Sequence, residues 1–155
     1  MYHYGKQLGP PSTLLDSPAL ELSVRSVQAN SPGALLPAFE MLENWMRVFG
    51  YPRRDLVAVI LATREAVLNA FRHGHRCDRD KTLRLRYLVT PDEALIEVED
   101  EGFGFDTAAV PNALTAWEEQ QPRGRGLFLM RSYATWLCFN ATGNRVTLCR
   151  RRTEV

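Results

Sequence analysis

Cysteine is scarce in this chain. Cys77, Cys138 and Cys149 are three in number, an odd count without a C-x-x-C pair. That excludes a disulfide framework and a thiolate zinc site, and it fits a reducing, cytoplasmic setting. Long apolar runs are lacking too. None reaches the roughly 18 residues of a membrane-crossing helix, so no membrane association is expected. The opening MYHYGKQLGPPS has no basic start followed by an apolar stretch, so no secretory leader is expected. Neither sign of charge dominates: the formal net charge is +1, which leaves no electrostatic footprint for nucleic acid. There is no G-x-x-x-x-G-K-[ST], so a P-loop is excluded. Internal repeats and low-complexity tracts are absent.

What is present is ordinary for a globular domain. The hydrophobic share is 45% and the charged share 24%, enough to fill one core. Residues 1–17, with Gly5, Gly9, Pro10 and Pro11, read as a flexible arm, and 18–155 as a single domain. LELSVRSV, from Leu20, alternates as a half-buried strand does. Ser31-Pro32 predicts a helix start with Ser31 as cap. Leu35, Phe39, Leu42, Met46 and Phe49 continue it to Gly50, and Pro37 either kinks this helix or delays its start. A second helix is expected from about Pro52 to His73, with Gly74 as its stop. Its middle is apolar almost all round, which predicts deep burial. TLRLRYLV and ALIEVED read as a hairpin about Pro91-Asp92-Glu93. GLFLMRSYA reads as a helix, and WLCFN with RVTLCRR as a second hairpin. Residues 107–123 read as a long loop, and loops of that length are usually functional. Together these elements predict an α+β fold with helices on one face of a sheet.

Three stretches carry candidate chemistry. In EAVLNAFRHG, Glu65 and Asn69 are four residues apart and share a helix face. Their carboxylate and amide oxygens suit a hard cation such as Mg²⁺, although a solvated helix edge gives the same spacing. His73, beside Gly74, suits the same site or a plain helix end. In DEGFGFD, Asp100 closes an apolar strand, and Gly102 and Gly104 let a flat ligand approach. Asp100 can accept from an exocyclic amine such as adenine's. A tight acidic turn is the other reading. Gly124-Arg125-Gly126 precedes a helix, whose first N–H groups can hold phosphate, or it is an ordinary basic loop end.

In this order, E-x-x-x-N-x-x-x-H-G, D-x-G-x-G and G-x-G before a helix resemble the Bergerat ATP-binding fold of the GHKL superfamily. EAVLNAFRHG, VEDEGFGFD and GRGLFLMRS are most similar to the anti-sigma-factor serine/threonine kinases of bacterial partner switching. The resemblance covers about residues 20–152. It implies a two-layer Bergerat-type sandwich with a mixed, mostly antiparallel sheet, binding ATP and Mg²⁺. By that resemblance Glu65 is the base or orienter and Asn69 the Mg²⁺ ligand. His73, Gly74, Asp100, Gly102, Gly104 and Phe105 form the rest of the base side. Arg123, Gly124, Arg125, Gly126 and Leu127 form the phosphate side, with the choice between Arg123 and Arg125 open. The loop over about 107–123 corresponds to the ATP lid. The chain begins almost at the first strand, so the acceptor is expected on another protein, by resemblance a STAS-domain anti-sigma-factor antagonist. A sigma factor or other output protein would compete for the kinase, and a homodimer is possible. Two other readings stand beside this one: a non-catalytic nucleotide-gated binding module, and a detached histidine-kinase catalytic domain.

Overall fold

The structure is a computed structural model and describes residues 14–16, 23–107 and 125–154. Five strands form one sheet: β1 (Arg25–Ala29), β2 (Leu83–Val89), β3 (Glu93–Glu99), β4 (Trp136–Phe139) and β5 (Arg145–Arg151), in the order β1-β2-β3-β5-β4. All four pairings are antiparallel. Three helices, α1 (Leu36–Val48), α2 (Arg53–Asn69) and α3 (Arg125–Tyr133), complete the α+β sandwich of Bergerat type. Among the described residues no helix is long and apolar enough to cross a membrane.

The register explains the layers. Val27, Leu85, Val98, Val146 and Phe139 oppose one another across all five strands. They point to the side on which Leu35, Leu42, Met46, Val59, Ala66, Val67 and Met130 of the helical layer are buried. Each such fully buried Leu, Val or Met side chain contributes about 1.5–3 kcal/mol. The opposite face has its own small cluster of Leu15, Leu88, Leu95 and Cys149. Of the arm expected over 1–17, only residues 14–16 are described. They form a single 3-10 turn, with Leu15 buried and Asp16 paired to Arg86.

Pro37 does not kink its helix. A 3-10 turn spans Pro32–Leu35, and α1 starts at Leu36 with Pro37 in the first turn, where no N–H is needed. Ser31 has the extended backbone of a cap, but its side chain makes no capping bond. Gly50 ends α1 with φ +73°: its N–H bonds the Arg47 carbonyl and that of Tyr51 the Met46 carbonyl. The deep burial expected for the middle of α2 is half right. Val59, Ala62, Thr63 and Ala66 are buried, whereas Val57 is 46% exposed and Leu61 is also open to solvent. One side of α2 therefore lacks, among the described residues, a cover that its composition alone suggested.

The first turn of α2 anchors the chain end. Asp55 is wholly buried and accepts from Arg150 Nε (2.9 Å) and Nη2 (2.6 Å), and from the Thr153 N–H (2.8 Å) and hydroxyl (2.9 Å). Arg150 Nη1 also donates to the Tyr133 carbonyl at 2.9 Å. This knot ties α2, the end of α3 and β5 together, and so fixes how α3 approaches α2.

Candidate functional site

Glu65 and Asn69 lie near the end of α2, half-buried, on the side that α3 covers. Gly126 is what lets α3 come so close. A side chain added there would place its first carbon 3.0 Å from Glu65 Oε2, 3.0 Å from Asn69 Nδ2 and 3.2 Å from Asn69 Oδ1. Two oxygen-bearing side chains thus converge on the first turn of α3, where helical N–H groups have no partners within the helix. The Asn69 amide oxygen is a hard donor, and it would leave most of a Mg²⁺ shell to phosphate and water. Among the described residues there is no cluster of three or more His, Cys, Asp or Glu able to hold a metal unaided. The donor set therefore fits a metal that arrives with a phosphorylated ligand.

Beyond Asn69 the helix widens into a π turn, Ala70–Gly74. Gly74 closes it but is not in the left-handed region; Arg76 (φ 53°) and Cys77 (φ 62°) are. Gly74 is needed for another reason. A carbon added to it would lie 2.3 Å from both Cγ and Oδ1 of Asp100. The Asp100 carboxyl occupies the space a side chain would take. Asp100 is 9% exposed, and its Oδ1 accepts the Gly102 N–H at 2.7 Å. Burial pushes its carboxyl above the usual range, while the Gly102 N–H pulls the other way.

The backbone around Asp100 is held from the β4–β5 turn. Its N–H donates to the Asn144 carbonyl (2.9 Å), and Asn144 Nδ2 donates to its carbonyl (3.0 Å). Asn140 Oδ1 accepts three N–H groups of that turn, from Gly143, Asn144 and Arg145. Gly104, at φ +73°, lies so close to the Thr142 carbonyl that an added carbon would be 1.8 Å from its oxygen. Phe105 meets Phe139 edge-on, with ring centroids 5.0 Å apart. Phe103 is left 94% exposed.

The expected residues therefore divide. Glu65, Asn69 and Gly126 come together, as do Gly74, Asp100 and Gly102, while Gly104 and Phe105 lie against the β4–β5 turn. His73 is exposed. Arg125 is exposed at the start of α3, and Leu127 packs partly against the core. Arg123, Gly124 and most of the loop expected over 107–123 lie outside the described residues. Reading the sequence missed His75, which is buried beneath the acid–glycine turn and accepts the Glu101 N–H on Nε2 at 2.9 Å. It also missed Asn140 and Asn144. The cluster NATGN was legible as a turn, but nothing local says that this turn holds Asp100.

The family model described as a histidine kinase-like ATPase domain matches residues 29–150. Anti-sigma F factors of Clostridium perfringens strains SM101 and 13 are each 32% identical over 81 residues, covering 51% of this chain. The aligned stretch spans 58% of the length of those relatives.

Proposed function

The chain belongs to the histidine kinase-like ATPase domains, and from that premise we propose that it is a serine/threonine-protein kinase of a bacterial partner-switching system. It binds Mg-ATP along the end of α2 and phosphorylates a STAS-domain antagonist. It also sequesters a sigma factor or other output protein as an anti-sigma factor. The observation that carries this reading is the convergence of Glu65 and Asn69 on Gly126, at the same end of the helical segment whose Gly74 lies against Asp100.

Each residue has a role that its position supports. Asp100, buried and backed by Gly74, accepts from the amine of the base. Asn69 supplies an oxygen to Mg²⁺, and Mg²⁺ when bound neutralises phosphate charge. The first N–H groups of α3 add to that neutralisation. Glu65 orients the acceptor hydroxyl and takes its proton as the hydroxyl oxygen bonds to the γ-phosphorus and ADP leaves. The name of the Clostridium relatives, anti-sigma F factor, supports the sigma-factor partner.

Glu65 is the point of test. Glu65→Ala should keep ATP affinity within about threefold yet lose phosphoryl transfer by about 10²-fold or more, the usual contribution of a positioned base. Radiolabelled ATP and a STAS-domain acceptor give the readout, with acid-stable phosphoserine as product. Near-wild-type labelling by the variant overturns the role of Glu65. Binding without any transfer by the wild type overturns the kinase reading.

A further inference from the structure

His75 has no part in the reading above, yet it lies directly under the turn that carries Asp100. It is 1% exposed. The π turn brings it there: its N–H bonds the Ala70 carbonyl at 2.9 Å, one residue further back than an α-helix would reach. Nε2 accepts the Glu101 N–H at 2.9 Å. A backbone N–H can only donate, so Nε2 carries no proton and the ring proton sits on Nδ1. Nδ1 is buried without a hydrogen-bond partner among the described residues. A second proton would set donor against donor at Glu101 and bury a cation.

The charges that act on the ring are those of Asp100 and Glu101 from the turn after β3, Asp78 from the loop after the π turn, and Lys81 from the approach to β2. Burial is the largest influence and pushes the imidazole below its ordinary value. Asp100, Glu101 and Asp78 oppose it, and Lys81 adds to it.

We propose that His75 is a positioning residue of the nucleotide site: by accepting the Glu101 N–H, its neutral imidazole locks the Asp100–Gly102 turn with the Asp100 carboxyl against Gly74. The proposal rests on Asp100 as the contact to the base. A histidine whose folded value is depressed stabilises the fold while it is neutral. That contribution is complete above about pH 6.5, the unfolded value, and is lost as pH falls from there toward the folded value. Base binding should weaken only as pH falls through the lower, folded value, where the ring of the folded protein takes up its proton.

The experiment measures ADP dissociation constants at pH 7.5 and 5.5 for the wild type, His75→Gln and His75→Leu. Gln offers an acceptor that does not titrate, and Leu offers none. Phosphate and Asp100 titrate in all three proteins, so the ratio of wild type to His75→Gln isolates the imidazole. The expected result is Leu roughly 3- to 10-fold weaker at pH 7.5 with Gln recovering most of that loss, and a wild-type to Gln ratio that shifts by less than about tenfold at pH 5.5, because the depressed imidazole of the folded protein stays largely neutral there. Nitrogen-15 signals of the wild-type ring should show the Nδ1–H tautomer, a measurement that stands even if the Leu variant does not fold. A shift of the ratio well beyond tenfold, wild-type affinity in the Leu variant, or an Nε2–H tautomer overturns the proposal. Failure of the wild type to bind ADP at pH 7.5 instead sinks the nucleotide reading itself.

Discussion

Gly74→Ala separates two explanations of the same glycine. If Gly74 only ends a helix, alanine should be harmless. Its backbone is not left-handed, so no strain follows. Alanine would even gain about 0.5–1 kcal/mol from helix propensity and a less flexible unfolded chain. The structure opposes that gain, because the new methyl would lie 2.3 Å from Cγ and Oδ1 of Asp100 and 2.5 Å from Oδ2. The carboxyl is short and tethered by the Gly102 N–H, so it can yield only by leaving its place. Overpacking of this kind costs about 1–3 kcal/mol. The net expectation is a loss of about 1–2 kcal/mol, or about 3–6 °C in Tm for a domain of this size. Adenine-nucleotide affinity should fall about tenfold, as one hydrogen bond to the base is misplaced. A double-mutant cycle sharpens the test. In an Asp100→Ala background the space is empty, so Gly74→Ala should become neutral or stabilising, with a coupling energy of about 1 kcal/mol or more. Calorimetric melting and nucleotide titration read both quantities. An alanine variant as stable as the wild type, with unchanged affinity, would refute the reasoning.

Two further outcomes follow from the same geometry. Asn69→Ala should abolish the difference in nucleotide affinity between Mg²⁺ and EDTA, which in the wild type should be about tenfold or more; titration under both conditions checks it. Asp55→Ala strands Arg150 and should cost about 3 kcal/mol in urea unfolding, near the low end for a broken buried pair because Arg150 keeps the Tyr133 carbonyl. The effect should depend on pH. Burial alone would raise the Asp55 carboxyl, but the Thr153 N–H, Arg150 and the Thr153 hydroxyl hold it below its ordinary value. Its stabilisation is present above the unfolded value near pH 4 and disappears as pH falls through the lower folded one, so the two proteins should converge in strong acid.

Much of the fold was legible because its signals are local. The two hairpins are marked by alternation and turn residues, and β2, β3, β4 and β5 fall where TLRLRYLV, ALIEVED, WLCFN and RVTLCRR predict. Pro37 was ambiguous because a proline is equally at home in a first turn and at a kink. The exposed side of α2 was misjudged because composition does not say which faces have neighbours. His73 and His75 illustrate the limit at the site. The spacing of four from Asn69 singled out His73, whereas nothing in the spacing singled out His75. A π turn intervenes, His73 is exposed and His75 is buried.

The order of acid, amide and glycine along the chain determined by itself which family the protein resembles, since those spacings are properties of single elements. Only the folded chain decided why particular glycines stand where they do. Gly74 yields its space to Asp100 and Gly126 yields to Glu65 and Asn69, partners 26 or more positions away. Local propensity carries no information about such distant neighbours. It is packing, which brings remote segments within a few ångströms of one another, that turned three short stretches into a site.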